Sequence, residues 1–195
     1  MSLIVQKFGG TSVADADRIR NVARIITETY RKGHSVVAVL SAQGDTTDDL
    51  IEKAQEINPS ASKREMDMLL ATGEQISISL CAMAIERMGY QAVSLTGWQA
   101  GMLTDSSYSS ARIKRIRTER IQKELDKKKI VLVAGFQGIN KYDDPGPRRF
   151  RHLCRRLGCR PARRPVPDLH RRRRRVHRRS PPCHRGPQAG RDHLR

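Results

Sequence analysis

The chain has 195 residues, of which 37% are hydrophobic, and a formal net charge of +18. This length suffices for one domain of ordinary size and is short for a two-domain enzyme. The N-terminus lacks an apolar stretch of signal-peptide length, and no run reaches the roughly 18 apolar residues of a membrane span. We therefore expect a cytoplasmic protein without a membrane partner.

The positive charge is concentrated at one end of the chain. Residues 1–144 contain 20 Lys and Arg against 18 Asp and Glu, whereas residues 145–195 contain 18 Arg, no Lys and two Asp. The second segment also holds eight of the nine Pro and has no periodic apolar pattern. We predict a folded body at 1–144 and a disordered, Arg- and Pro-rich tail at 145–195. The body contains one cysteine, Cys81, which excludes a disulfide within it.

The body alternates between strand and helix patterns. In chain order they predict a strand at 3–5, a helix at 14–32, a strand at 36–40, helices at 47–57 and 62–88, a strand at 92–95, a charge-rich helix at 110–129 and a strand at 130–134. The apolar side of the longest helix is expected to be formed by Met66, Leu69, Leu70, Ile76, Leu80 and Ile85. This alternation predicts the α/β class, as a three-layer α/β/α sandwich with a mainly parallel sheet.

A glycine-rich turn follows the first predicted strand and reads Lys7-Phe8-Gly9-Gly10-Thr11-Ser12. Glycines let backbone amides approach an anion, and Lys7 adds a positive charge. The alternative is a tight turn beside a surface lysine, which a Gly-Gly pair alone does not exclude. The segment also lacks the Gly-Lys-Ser/Thr spacing of a phosphate loop.

Two further positions are candidates for binding. The turn from Ser41 to Asp48 places hydroxyl groups at the end of a strand and the start of a helix, which suits phosphate or carboxylate, although Ser and Thr also cap helices. Within the longest helix, Gly73 costs about 1 kcal/mol relative to alanine and so indicates a break or a close approach. The neighbouring Glu74, taken alone, fits a solvated surface charge.

Taken together, these segments resemble the aspartate kinases of the amino acid kinase family. The resemblance rests on Lys-Phe-Gly-Gly-Thr-Ser at 7–12, Val-Leu-Ser-Ala-x-Gly-x-Thr-Thr-Asp-x-Leu at 39–50, Leu-Leu-x-Thr-Gly-Glu-Gln at 69–75, Thr-Asp-Ser at 104–106, Ala-Arg-Ile at 111–113 and Val-Ala-Gly-Phe-Gln-Gly at 133–138. It covers the whole body and implies the amino acid kinase fold in incomplete form.

The resemblance implies transfer of the γ-phosphoryl group of ATP to the side-chain carboxylate of L-aspartate, with ATP and Mg²⁺ as cofactors. This is the first step toward lysine, threonine and methionine, and the family is usually homo-oligomeric. The residues implied are Lys7, Phe8, Gly9, Gly10 and Ser41 for the nucleotide, and Thr47 and Glu74 for aspartate. Lys7 would be the catalytic residue, Thr47 would bind the α-carboxylate and Glu74 the α-amino group. No residue is assigned as a metal ligand.

Two departures from the family pattern stand out. Gln43 occupies a position where the family usually has Met, which we expect to affect packing more than chemistry. After Gly138, the expected Thr-Thr-Leu-Gly-Arg-Gly-Gly-Ser-Asp loop and a later Thr-Asp-Val-Asp-Gly-Val-Tyr-Thr segment are missing from the sequence. We therefore expect this chain to be truncated relative to the family and impaired in activity.

The genetic code offers an explanation for the tail. When ambiguous codons for Pro145 onward are read from their second base, they permit Leu-Gly-Arg-Gly-Gly-Ser-Asp-Thr-Ser-Ala. The same shift from Asp168 to Pro182 permits the second missing segment. We interpret the tail as an out-of-frame reading of the family's continuation, which also explains why it contains Arg and no Lys.

A non-enzymatic function is the alternative. The run Arg171 to Arg175 would attract nucleic acid by neutralising phosphates. With Phe150 as the tail's one aromatic residue, base stacking is not available, so such binding would be nonspecific. The Cys and His residues of the tail lack the short paired spacing of a zinc site.

Overall fold

The computed structural model describes residues 2–108, 111–142, 144–148 and 160–161. The helices are α1 (Ala16–Arg31), α2 (Thr46–Ile57), α3 (Lys63–Arg87) and α4 (Glu119–Asp126). The strands are β1 (Leu3–Phe8), β2 (Ser35–Leu40), β3 (Ala92–Leu95), β4 (Met102–Thr104), β5 (Ile113–Ile116), β6 (Ile130–Ala134), β7 (Phe136–Ile139), β8 (Pro145–Arg148) and β9 (Arg160–Pro161). The first three helices and the strands β1, β2, β3 and β6 confirm the predicted pattern.

A five-stranded parallel sheet lies at the centre, in the order β3-β6-β2-β1-β9. Alternate residues of β2 face opposite sides: Val36, Ala38 and Leu40 pack with α1 and α3, whereas Val37 and Val39 pack with α4. Helices therefore cover both faces, which is why the central strands consist of unbroken apolar runs. The predicted α/β fold with a mainly parallel sheet is confirmed.

A second, four-stranded sheet was not predicted and has the order β5-β4-β7-β8. The predicted helix at 110–129 is wrong in its first half, because Ile113–Ile116 forms β5 and the helix begins at Glu119. β5 pairs antiparallel with β4, with Lys114 and Arg115 exposed between half-buried isoleucines. The high charge of this segment favoured a helix, but as the edge strand of a small sheet it needs little apolar surface.

The face that α3 buries also differs from the prediction. Ile76 and Leu80 are 47% and 40% exposed. The buried residues of α3 are Asp67, Ala71, Gly73, Glu74, Ser77, Ile78, Cys81, Ala82 and Ile85, of which Ile85 alone belonged to the predicted face. Small side chains let this helix approach the sheet and loops closely, and that contact outweighs burial of the larger ones. The helix is long and apolar enough to cross a membrane by length and composition, but here it packs against the sheet.

The structure describes two short segments of the tail. Residues 145–148 pair with β7, and residues 160–161 extend the parallel sheet beside β1. The predicted disorder of 145–195 otherwise falls outside the described residues. The boundary after 144 and the out-of-frame interpretation therefore stay predictions.

Candidate active site at the carboxyl edge of the parallel sheet

Two loops meet where β1 and β2 end side by side, with Phe8 opposite Leu40. The Ser41 backbone N–H donates to the Phe8 carbonyl at 3.1 Å, and the Gly44 N–H donates to the Gly10 carbonyl at 3.1 Å. The two glycine-containing turns predicted separately therefore form one surface. It lies at the edge of an open α/β sheet where ligands usually bind.

The two adjacent glycines of the first loop differ in the space available beside them. A Cβ on Gly10 would lie 2.8 Å from the Ala42 carbonyl oxygen, so the contact between the loops requires glycine there. A Cβ on Gly9 would meet nothing within 4 Å. The space beside Gly9 is open, which leaves its backbone accessible to an anion.

Lys7 and Phe8 point to opposite sides of β1. The Lys7 side chain is exposed, whereas the Phe8 side chain is 2% exposed and packs in the core against α1. The predicted contact of Phe8 with a nucleotide would therefore have to come from its backbone. Within the described residues, Lys7 takes part in none of the ion pairs, so its ammonium group is available for a phosphate.

The second loop leads into the N-terminus of α2. Asp45 occupies the N-cap position, but its side chain makes no capping hydrogen bond, and Thr46 and Thr47 lie in the first turn. The N-cap position is thus occupied by Asp45 and not by one of the Ser or Thr residues that the sequence offered as helix caps. The half-buried position of Thr47 in the first turn, where backbone N–H groups lack helical partners, suits a carboxylate ligand.

Glu74 is buried beneath this loop, with 4% of its surface exposed. Burial raises the pKa of its carboxyl to about 7, even though hydrogen bonds from the Ala42 backbone and the Gln137 side chain favour the charged form. Its Oε2 has no hydrogen-bond partner among the residues that the structure describes. The interpretation of Glu74 as a solvated surface charge is wrong, and a buried carboxylate with an unused oxygen is suited to bind a cation.

The close approach of α3 explains the burial of Glu74. A Cβ on Gly73 would lie 3.0 Å from the Ala42 Cβ and 3.7 Å from the Thr46 Cγ2. The helix continues without a break through Gly73, so the second of the two predictions for this glycine, a close approach, is confirmed. Glu74 and the first turn of α2 consequently lie around the same loop.

Gln137 is a site residue to which no role was assigned from the sequence. Its side chain is 2% exposed, donates from Nε2 to the Ala71 carbonyl, and accepts a hydrogen bond from the Gly97 N–H at 3.3 Å. It therefore fixes β7 against α3 beside Glu74. Its place in the Val-Ala-Gly-Phe-Gln-Gly segment was the available signal, but that segment alone does not indicate burial.

Gln43 connects the two loops through its side chain. Its Nε2 donates to the Val13 carbonyl at 2.9 Å, a hydrogen bond that the Met usual at this position could not make. The effect expected from the sequence, on packing more than on chemistry, stays a prediction. The structure adds a polar contact behind the glycine-rich turn.

The geometry divides the predicted site residues into two groups. Lys7, Gly9 and Ser41 lie at the ends of neighbouring strands, whereas Thr47 lies in the first turn of α2 and Glu74 lies on α3, with a hydrogen bond from the Ala42 backbone. No group of three or more His, Cys, Asp or Glu that could hold a metal ion is present in the part of the chain that the structure describes. The arrangement can bind an anion beside Lys7 and a cation beside Glu74.

Comparison with known proteins gives a consistent result. The family model for the amino acid kinase family matches residues 2–151. An aspartokinase of Bacillus sp. (strain MGA3) is 56% identical over 144 residues, which are 74% of this chain and 35% of that protein. Aspartokinase 2 of Bacillus subtilis (strain 168) is 54% identical over 141 residues, which are 72% of this chain and 35% of that protein. The chain spans about a third of the length of these curated relatives.

Solved structures agree with this result. Aspartate kinase from Synechocystis is 46% identical, with a TM-score of 0.59 over 70% of this chain and 22% of that one. Escherichia coli aspartokinase III in complex with aspartate and ADP has a TM-score of 0.63 over 75% of this chain and 43% of that one, at 20% identity. The second likeness concerns the fold alone.

Proposed function

Because the chain belongs to the amino acid kinase family, we propose that it supplies the nucleotide loop and part of the aspartate site of an aspartate kinase. In this reaction a side-chain carboxylate oxygen of L-aspartate attacks the γ-phosphorus of ATP. The bond to the β,γ-bridging oxygen breaks, and ADP and an aspartyl phosphate are released. The observation that carries the proposal is an exposed Lys7 at an open glycine turn, together with a buried Glu74 whose Oε2 has no hydrogen-bond partner among the described residues.

The nucleotide side of the proposal rests on Lys7, Gly9, Gly10 and Ser41. The Lys7 ammonium would offset charge on the transferring phosphoryl group, and the backbone N–H groups of the turn would hold phosphate oxygens. The Ser41 hydroxyl lies at the end of the neighbouring strand and would bind the same phosphates. Mg²⁺ usually reaches such sites bound to nucleotide phosphates and water, with one or two protein carboxylates, and we assign no ligand for it in this chain.

The aspartate side rests on Thr47 and Glu74. Thr47 would bind the α-carboxylate at the N-terminus of α2, where the helix dipole favours negative charge. Glu74 would bind the α-ammonium group, which supplies the partner that its Oε2 lacks. The side-chain carboxylate of the substrate is then left to point toward the γ-phosphate.

A ligand series tests this assignment. We expect L-aspartate to bind the chain in the presence of Mg²⁺ and a nonhydrolysable ATP analogue, and N-acetyl-L-aspartate to bind at least about tenfold more weakly, because acetylation removes the positive charge that Glu74 needs. The Glu74→Gln variant should remove this preference. Equal binding of both ligands to the unaltered chain would contradict the role of Glu74.

Turnover is a separate matter from binding. Two phosphate- and aspartate-contacting segments that the family resemblance leads us to expect after Gly138 are missing from the sequence. We therefore propose that the chain binds ligands but forms aspartyl phosphate slowly or not at all, which trapping with hydroxylamine would measure. Trapped product at a rate typical of kinases, about 1–100 per second, would contradict the proposed impairment.

Nonspecific nucleic-acid binding by the Arg-rich tail remains a second proposal. Its support is the 18 Arg of residues 145–195, which would bind phosphates with strong salt dependence. Cleavage after Asp144 should abolish RNA binding if the tail carries it. RNA binding that persists in residues 1–144 would contradict this proposal.

A further inference from the structure

The turn between β7 and β8 is closed by hydrogen bonds of its own. The side-chain oxygen of Asn140 accepts hydrogen bonds from the backbone N–H groups of Tyr142 at 2.8 Å and Asp144 at 3.1 Å. The Asn140 N–H donates in return to the Asp144 carbonyl at 3.0 Å. Asn140 is 6% exposed, so a buried side chain fixes the backbone conformation up to Asp144.

The Asp144 carboxylate connects this turn to two other segments of the chain. Its Oδ1 accepts a hydrogen bond from Arg64 Nε at 3.0 Å, near the start of α3, and its Oδ2 accepts one from the Tyr108 hydroxyl at 2.8 Å, in the segment after β4. The side chain of Asp144 is 14% exposed, whereas the acidic partners in the ion pairs of α1 are 48–89% exposed. Solvent therefore weakens the Arg64 contact less than it weakens those surface pairs.

These contacts attach β7 to α3 at both ends of the strand. At its start, Gln137 donates to the Ala71 carbonyl, and beyond its end, Asp144 binds Arg64. Arg64 and Ala71 are seven residues apart on the helix, a distance of about 10 Å. Gln137 and Asn140 are three residues apart on the strand, which is also about 10 Å. The equal distances let β7 lie alongside the first half of α3, antiparallel to it.

The attachment at Asp144 matters for the site because Glu74 lies one helical turn after Ala71. The Glu74 carboxylate receives a hydrogen bond from the Gln137 side chain, which also accepts from the Gly97 N–H at 3.3 Å. A shift of β7 along α3 would move the Gln137 amide away from these partners. The contact between Asp144 and α3 opposes such a shift, since its acceptor and its donor belong to the two elements.

We propose that Asp144 is a positioning residue of the aspartate site, which keeps β7 in the register on α3 in which Gln137 holds Glu74. The inference rests on the proposed function for its ligand, L-aspartate. Asp144 acts through Gln137 and Glu74 and does not touch the substrate. Its two donors from different segments and the closed turn at Asn140 fix the carboxylate in one place, which positioning requires.

Amide hydrogen exchange of the full 195-residue chain, followed by NMR, tests the positioning. In Asp144→Asn the side chain keeps its shape but loses its charge and one of its two acceptor oxygens. We expect exchange of the Gly97 N–H, which reports where Gln137 lies, to become about tenfold faster relative to the amides of β2 and β6. A residue that only adds stability would accelerate exchange in β2 and β6 together with Gly97.

Glu65→Gln is the matched control. It removes a carboxylate from the same arginine, since Glu65 pairs with Arg64 at 2.5 Å, but both residues belong to α3 and the pair joins no second element. The control should leave Gly97 exchange unchanged. Tyr108→Phe removes the other donor to Asp144 and should accelerate the exchange, with little further change when it is combined with Asp144→Asn, because both remove one contact.

Ligand binding completes the test. With Mg²⁺ and a nonhydrolysable ATP analogue present, calorimetry should show an affinity for L-aspartate about fivefold lower in Asp144→Asn than in Glu65→Gln. Affinity for the nucleotide analogue should be equal in both variants, because the hydrogen bonds of the Asp144 carboxylate lead to α3 and to Tyr108 and not to the Lys7 loop.

The possible failures can be told apart. An unaltered chain that does not bind L-aspartate would overturn the proposed function and this inference together. An unaltered chain that binds it, with Gly97 exchange in Asp144→Asn that equals that in Glu65→Gln or merely follows β2 and β6, would overturn this inference alone.

Discussion

The side-chain amide of Gln137 donates a hydrogen bond to the backbone carbonyl of Ala71, one helical turn before Glu74. Its oxygen accepts from the Gly97 N–H at 3.3 Å, so one buried side chain joins β7, α3 and the loop after β3. The carboxylate of Glu74 also receives a hydrogen bond from this side chain. Gln137 therefore supports both the packing of α3 and the charged state of Glu74.

We expect Gln137→Leu to lower the free energy of unfolding by about 1–3 kcal/mol, because Gly97 N–H and Ala71 carbonyl lose a buried partner. The pKa of Glu74 should rise further, because the charged form loses a donor. Urea denaturation would measure the first effect. Gln122→Leu is the control: Gln122 is exposed on α4, and its substitution should change stability by less than about 0.5 kcal/mol. Equal losses in both variants would contradict the role of Gln137.

The ionisation of Glu74 should make stability depend on pH. Its pKa is raised from 4.5 to about 7 in the folded chain, so the unfolded chain loses this proton first and stability falls as pH rises from about 4.5 to about 7. The loss of stability that comes from ionising the buried carboxyl is absent below pH 4.5 and amounts to about 3 kcal/mol above pH 7. Glu74→Gln should remove it, so that the variant is the more stable protein at pH 8 and no more stable at pH 4.5.

Urea denaturation of both proteins at the two pH values would measure this difference. Comparison with the variant cancels the titration of the other carboxylates, such as Asp144, whose pKa is lowered by hydrogen bonds from Tyr108 and Arg64. A stability difference that does not change with pH would show that Glu74 titrates near its ordinary value.

Binding of L-aspartate should show the opposite dependence on pH. The ammonium group requires charged Glu74, so affinity should rise as pH increases through about 7 and change about tenfold per unit well below that value. Calorimetric titrations at pH 5.5 and pH 8 would measure this effect, with the Glu74→Gln variant as the reference. An affinity that falls with increasing pH would contradict the proposed pairing.

The two glycines of the first loop should respond differently to alanine. Gly10→Ala places a Cβ 2.8 Å from the Ala42 carbonyl oxygen and should destabilise the fold by about 1–3 kcal/mol. Gly9→Ala meets open space at an ordinary backbone conformation, with φ −80°, so it should preserve stability and weaken nucleotide binding. Thermal unfolding and nucleotide titration would separate the two effects, and equal destabilisation would contradict the described packing.

The sequence predicted the elements that a local pattern specifies. Unbroken apolar runs indicated β2 and β6, and Asp15 marked the start of α1, where its side chain accepts from the Arg18 N–H at 2.9 Å. The strands of the second sheet, β4, β5, β7 and β8, were missed because their three or four residues carry too little periodicity; β3 is equally short but was predicted from its mostly apolar residues.

The sequence motifs of the site could be predicted, but the burial and the contacts of the site residues could not. The burial of Glu74 depends on the approach of Gly73 to Ala42, a contact between segments about thirty residues apart. For the same reason the buried face of α3 was assigned wrongly: hydrophobicity alone places Ile76 and Leu80 inside. Packing of small side chains against the loop and the sheet determines the helix rotation instead.

Lys7 provides the most direct test that this chain carries the nucleotide loop of an aspartate kinase. Titration of Mg²⁺-ATP into the 195-residue chain, at a salt concentration that suppresses contacts with the Arg-rich tail, should show saturable binding of one nucleotide per chain. Lys7→Met should weaken it by about tenfold or more, since it removes a charge-assisted contact to phosphate. Lys53→Met, which removes an exposed lysine of α2, should leave it unchanged. Nucleotide binding that survives Lys7→Met to the same extent as Lys53→Met would contradict the proposed site.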